Sequence, residues 1–190
     1  TNMSAEEVWE DWSSRDLEPF TYLRRPVELA TDTTQMLAVV QHALTEISGP
    51  AEQIIVLLQP TQPLRRAEDV VRGIDLLRTT QADSVVSVGA LPLTHVPQRL
   101  LWLCPEDRLS PWDVRITSLE NQPSRRQDST PLYIRDGTCY VFWRLTVQGW
   151  GNIYGQDVRA LVIDPAHTCP LDTEFDWAEA ERRLSERTHV

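Results

Sequence analysis

The sequence predicts an α/β fold on a mostly parallel sheet. Helix-type and strand-type segments alternate from Asp32 to Val88. The early strand segments are continuous apolar runs, as expected for strands covered on both faces. The chain has 190 residues with 41% hydrophobic content, enough for one domain with a real core.

Asp32 to Ser48 is expected to be a helix. Met36, Val40, Ala43, Leu44 and Ile47 recur at helical spacing, Asp32 with Gln35 has the form of a capping box, and Gly49-Pro50 ends the segment. Ile54 to Leu58 reads as a strand. It leads into Gln59-Pro60-Thr61-Gln62-Pro63-Leu64-Arg65, whose two prolines imply a rigid loop with few backbone donors. A second helix is expected over Ala67 to Thr79 with Val70, Val71, Ile74 and Leu77 facing inward, followed by a strand at Ser84 to Val88.

Prolines interrupt the stretch from Leu91 to Pro131, and a structureless loop of that length is rare in a compact domain. It reads as an excursion holding short strands and a partner-contacting arm. Tyr133 to Val141 and Arg159 to Ile163 are expected strands. Asp172 to Arg187 is expected to be a closing helix with Trp177, Ala180 and Leu184 on one face. There is no internal repeat and no low-complexity segment.

Composition excludes several classes of function. The net charge of -10 argues against a general nucleic-acid surface. All 18 basic residues are Arg, so a mechanism needing a catalytic Lys must find it elsewhere. Cys104, Cys139 and Cys169 form no C-x-x-C pair, and the four histidines show no ligand spacing, so neither a disulfide framework nor a zinc site is indicated. No apolar run approaches the ~20 residues of a membrane-spanning helix and no signal peptide opens the chain. A cytoplasmic protein touching neither membrane nor nucleic acid is expected.

Ligands bind at the carboxyl ends of strands in open α/β sheets, which is where the loop from Gln59 to Arg65 lies. It resembles the L-Q-P-T-S-P-L-R signature of the acylneuraminate cytidylyltransferases, departing only at Gln62, where Ser is usual. Arg24-Arg25-Pro26-Val27-Glu28-Leu29-Ala30-Thr31-Asp32-Thr33 resembles that family's R-R-P-x-E-L-A-x-D-T segment. Ala82 to Val88 is similar to its A-D-S-V-V-S-V strand. Arg125-Arg126-Gln127-Asp128, followed by Tyr133 and Asp136-Gly137, resembles R-R-Q-D and N-G-A-x-Y. Thr168 to Asp172 and the acidic stretch after it resemble the closing S-x-D-I-D segment. The motifs occur in the family's order and cover essentially the whole chain.

The resemblance implies a three-layer, Rossmann-like nucleotidyltransferase domain over residues 1–190, with residues 91–131 as a dimerisation arm and a homodimer as the assembly. It implies that the family's first strand and its glycine- and base-rich CTP cradle are missing from this chain. Asp136 stands where the family has Asn, and Pro170 where the first of two closing aspartates belongs. The implied activity is transfer of CMP from CTP to a sialic-acid-like keto-sugar acid, with release of pyrophosphate and with Mg²⁺ as cofactor. Rival readings are cytidylyl transfer to a phosphonate or other small acid, and a degenerate, non-catalytic domain.

For the site, the resemblance implies Asp172 as the catalytic metal ligand. A helix-terminal acid favoured by the dipole is the other reading of that residue, and Asp136 or Asp164 could assist with metal. Arg25 and Thr34 are implied on the nucleotide side, although Arg24 and Arg25 can equally be an exposed turn. Gln59, Thr61, Arg126, Gln127 and Asp136 are implied on the acceptor side, where an Arg fork suits a sugar carboxylate. A solvated surface arginine is the other reading of Arg126.

Overall fold

The computed structural model describes residues 21–93, 95–123, 125 and 130–188. The chain divides into two compact units, Thr1–Ser48 and Gly49–Val190. Among the described residues, no helix is long and apolar enough to cross a membrane.

In the first unit, a 3-10 turn over Val27–Leu29 precedes helix α1, Met36–Glu46. The helix starts four residues later than the expected capping box at Asp32. Its N-cap is Gln35, without a side-chain cap. The Thr31 hydroxyl lies 3.2 Å from that of Thr33 and 2.7 Å from that of Thr34, and the Thr34 N–H donates to the Thr31 carbonyl. Local bonding of this kind offers the backbone an alternative to a first helical turn. Val40 is buried, whereas Met36 and Ile47 of the expected apolar stripe are exposed.

The second unit carries a four-stranded sheet. Its strands are β1 (Ile54–Leu57), β2 (Ser84–Ala90), β5 (Tyr133–Trp143) and β6 (Val158–Val162), in the order β1-β5-β2-β6. β2 and β6 are parallel, with Val86 beside Ala160. β5 runs against both neighbours, placing Val56 opposite Val141 and Val86 opposite Tyr140. Three strands therefore share one direction and one opposes them. The apolar runs gave each strand's position but carry no information about direction.

Helix α2 (Ala67–Thr80) packs on β2, β5 and β6. Leu77, Val85, Cys139, Val141, Leu161 and Ile163 form the main buried cluster, with Val70 and Ile74 packed against it. A Cβ on Gly73 would stand 3.1 Å from Val141 Cγ2, so the glycine lets helix and sheet approach closely. Val71 was expected inside but is exposed, because the buried face of α2 runs through Asp69, Gly73 and Leu77.

Between β2 and β5 the chain makes its excursion, which includes a hairpin of β3 (Leu101–Leu103) and β4 (Leu109–Pro111). The Leu91 N–H donates to the Leu132 carbonyl at 2.8 Å, joining the start of the excursion to its end. Helix α3 (Arg144–Trp150) follows β5 directly and was not expected from the sequence. Its first residue, Arg144, is buried; its N–H donates to the Gln53 carbonyl at 2.8 Å and its Nε to Gln53 Oε1 at 3.0 Å.

Helix α4 (Glu174–Thr188) closes the unit. Ala180 forms a second buried cluster with Leu64 and Cys169, while Trp177 and Leu184, expected on the same inward face, are exposed. Arg183 and Arg187 fasten α4 to the rest of the unit. Arg183 donates to the Thr168 carbonyl at 3.3 Å, and Arg187 to the Leu64 and Ala166 carbonyls at 3.0 and 2.7 Å.

Candidate functional site

The loop from Gln59 to Arg65 leaves the carboxyl end of β1 and turns back under α4. Arg65 clamps it, with Nε donating to the Thr138 carbonyl at 2.6 Å and a terminal nitrogen to the Gln59 carbonyl at 2.5 Å. Burial lowers the Arg65 guanidinium from its usual value, with the nearby Cys139 and Asp136 opposing the shift. Leu64 is fully buried and anchors the loop's far end.

Gln59 approaches β5 at Gly137, which has φ +77°. A Cβ there would stand 2.6 Å from Gln59 Oε1, so both the backbone and the space call for glycine. Asp136 is buried, and its two carboxylate oxygens accept from the Thr138 N–H at 3.2 Å and the Thr138 hydroxyl at 2.6 Å.

Thr61 is exposed, and its carbonyl accepts from the Leu171 N–H at 3.0 Å. This bond holds the segment before α4 against the loop. Thr61, Leu171, Asp172, Thr173, Glu174 and Trp177 are among the residues lining an open cleft of about 500 Å³. Thr61 and Asp172, expected on the acceptor and metal sides, are thus brought into one cleft. Gln59 and Asp136 lie on the adjoining parts of the loop and β5.

The cap of α4 belongs to Asp172's neighbours. The Thr173 hydroxyl accepts from the Asp176 N–H at 3.2 Å, and Asp176 Oδ2 accepts from the Thr173 N–H at 2.8 Å. That is a capping box, with Asp in the place of the usual Glu or Gln. The Thr173 hydroxyl holds the Asp176 carboxyl below its usual value, assisted by the Thr173 and Asp172 N–H groups. Asp172 contributes its N–H to Asp176 at 3.2 Å, and its own side chain is exposed. The spacing Thr173-x-x-Asp176 is visible in the sequence and could have assigned this cap.

The other carboxylates considered for metal are committed elsewhere. Asp136 is turned onto Thr138, and Asp164 caps a short 3-10 helix by accepting from the Ala166 N–H at 2.8 Å. Among the described residues, no group of three or more His, Cys, Asp or Glu side chains is placed to hold a metal ion. Arg126 and Gln127 lie outside the described residues. Arg25 and Thr34 belong to the first unit, where Arg25 is exposed and the Thr34 hydroxyl meets that of Thr31.

No protein-family model matches the chain. It is 25% identical over 175 residues to CMP-N,N'-diacetyllegionaminic acid synthase of Legionella pneumophila, an alignment covering 84% of this chain and 67% of that protein. The similarity is thus to an enzyme named for making a CMP-activated sugar acid. The chain's fold is also similar to that of CMP:2-keto-3-deoxy-manno-octonic acid synthetase, solved in complex with CTP. The TM-score is 0.52 at 12% identity, over 84% of this chain and 70% of that one.

Proposed function

We propose that the protein transfers CMP from CTP to a sialic-acid-like keto-sugar acid. The observation that carries this is the relationship to CMP-N,N'-diacetyllegionaminic acid synthase along 84% of the chain. Both relatives bear sugar-acid names, and no observation favours a phosphonate acceptor or a non-catalytic role.

In this reaction a sugar hydroxyl oxygen bonds to the α-phosphorus and gives up its proton to solvent, the bond from the α-phosphorus to the α–β bridging oxygen breaks, and pyrophosphate leaves. Such transfer depends on positioning and on neutralising phosphate charge. Asp172 supplies an exposed carboxylate that the helix cap does not use, and exposed Glu174 lines the same cleft. That donor set fits a Mg²⁺ ion carried largely by the nucleotide's phosphates, since Mg²⁺ is commonly held by one or two carboxylates plus phosphate oxygens. When bound, the ion would offset phosphate charge. Thr61, Gln59 and Gln127 offer hydroxyl and amide groups to the acceptor, Arg126 grips its carboxylate, Asp136 belongs to the acceptor side, and Arg25 and Thr34 serve the nucleotide.

We place the reaction in the cytoplasm and the protein in a homodimer joined through residues 91–131. The exposed Trp102, Leu103 and Leu109 of that arm support pairing, because a lone two-stranded hairpin is marginally stable. The test is thermal melting of the full-length protein with Mg²⁺ and each nucleotide. CTP at a hundredfold excess over its dissociation constant should stabilise by about 2.7 kcal/mol, and ATP and GTP should not. Equal stabilisation by all three would overturn the cytidine assignment.

A further inference from the structure

Gln62 is the one position of the Gln59–Arg65 loop that departs from the resembled signature, and it is 2% exposed. Its amide joins three segments. Nε2 donates to the Asp136 carbonyl, and Oε1 accepts from the Cys169 N–H at 3.2 Å and the Thr168 hydroxyl at 3.4 Å. The partners fix the amide's orientation, since a carbonyl can only accept and an N–H can only donate.

Two other departures, Asp136 and Pro170, adjoin these same bonds. Pro170 has no N–H, so the strap of residues 169–171 has two backbone donors. Cys169 gives its N–H to the Gln62 side chain, and Leu171 gives its own to the Thr61 carbonyl. Both go to consecutive residues of the loop. The strap leads directly into Asp172, on the cleft that Thr61 also lines.

We infer that Gln62 is a positioning residue: it fixes the strap that presents Asp172 to the nucleotide's metal, and it couples that strap to β5 at Asp136. This rests on the proposed function for its purpose and on the hydrogen bonds for its geometry. A serine at this position is two bonds shorter and cannot span from Asp136 to Cys169. The departures at 62 and 170 therefore meet in one place, where the longer side chain secures a strap that Pro170 leaves with two backbone donors.

The test compares the full-length parent with Gln62→Met, which keeps the length and removes both hydrogen-bonding groups. Gln62→Ser serves as the second variant should the methionine protein fail to melt cooperatively. Two readouts are taken: amide hydrogen exchange at Cys169 and Leu171, and the Mg²⁺ midpoint for CTP binding by calorimetry. Exchange at Cys169 should accelerate, and the Mg²⁺ midpoint should rise about two- to tenfold, the range that one net hydrogen bond commands. CTP affinity at saturating Mg²⁺ should stay near the parent's. A purely structural Gln62 would lower the melting temperature and leave the midpoint in place, which would overturn the inference. Unchanged exchange at Cys169 would overturn it as well. A parent that binds no CTP with Mg²⁺ would instead overturn the functional reading, and the purpose assigned to Gln62 with it.

Discussion

Thr173 and Asp176 cap helix α4 reciprocally, at 3.2 and 2.8 Å, and leave the side chain of Asp172 out of the cap. Helix stability and the metal role proposed for Asp172 are therefore separable by mutation. Thr173→Ala should lower stability by about 0.5–2 kcal/mol, the usual effect of losing an N-cap hydroxyl. Asp172→Asn should leave thermal melting near the parent's and abolish most pyrophosphate release with CTP and a keto-sugar acid. An Asp172→Asn protein with parental turnover would show that the carboxylate plays no part in the reaction.

Restoring a second carboxylate is the complementary change. Pro170→Asp returns an acid two residues before Asp172 and should lower the Mg²⁺ concentration giving half-maximal pyrophosphate release. A Mg²⁺ titration checks this. An unchanged midpoint would mean that the strap directs residue 170 away from the metal.

Acid sensitivity should trace in part to α4. Hydrogen bonds from Arg182, then Arg183, hold Glu179 at about 2, below its usual 4.5. A lowered carboxyl pKa in the folded state gives stability that is present above pH 4.5 and fades as pH falls toward 2. Glu179→Gln should therefore melt below the parent at neutral pH, and the gap should narrow through that acid window. The check is melting temperature against pH for both proteins. A gap that stays constant with pH would assign the loss to packing.

Thiol chemistry should follow burial. Burial first, then the nearby Asp136, pushes Cys139 up to about 11, and burial likewise raises Cys169. Cys104 is only partly buried. At neutral pH, maleimide should label Cys104 in the folded protein well before the other two, as read by mass spectrometry of digested samples. Rapid labelling of Cys139 would show that the sheet opens around it.

The sequence placed the loop from Gln59 to Arg65 better than it placed the fold's turning points. The loop from Gln59 to Arg65 stands at a strand's carboxyl end, as its prolines and the preceding apolar run imply. The start of α1 was misplaced because Asp32 and Gln35 satisfy a spacing rule that the neighbouring threonine hydroxyls override. Helix α3 was missed because Trp143 to Val147 is rich in residues that also suit a strand. The bonds of Gln62 join positions 74 and 107 residues apart in the chain, a separation beyond any local pattern. Arg126 and Gln127, expected on the acceptor side, fall outside the described residues.

The bond between Leu91 and Leu132 has an evolutionary consequence. It makes the excursion a pendant whose two attachment points are neighbours, so insertion or deletion within it need not disturb the register of β2 against β5. Closing such a loop costs entropy that grows only with the logarithm of its length, about 0.6 kcal/mol per doubling. Descendants of this chain could therefore exchange the whole pendant while inheriting the cleft beside Thr61 and Asp172 unchanged.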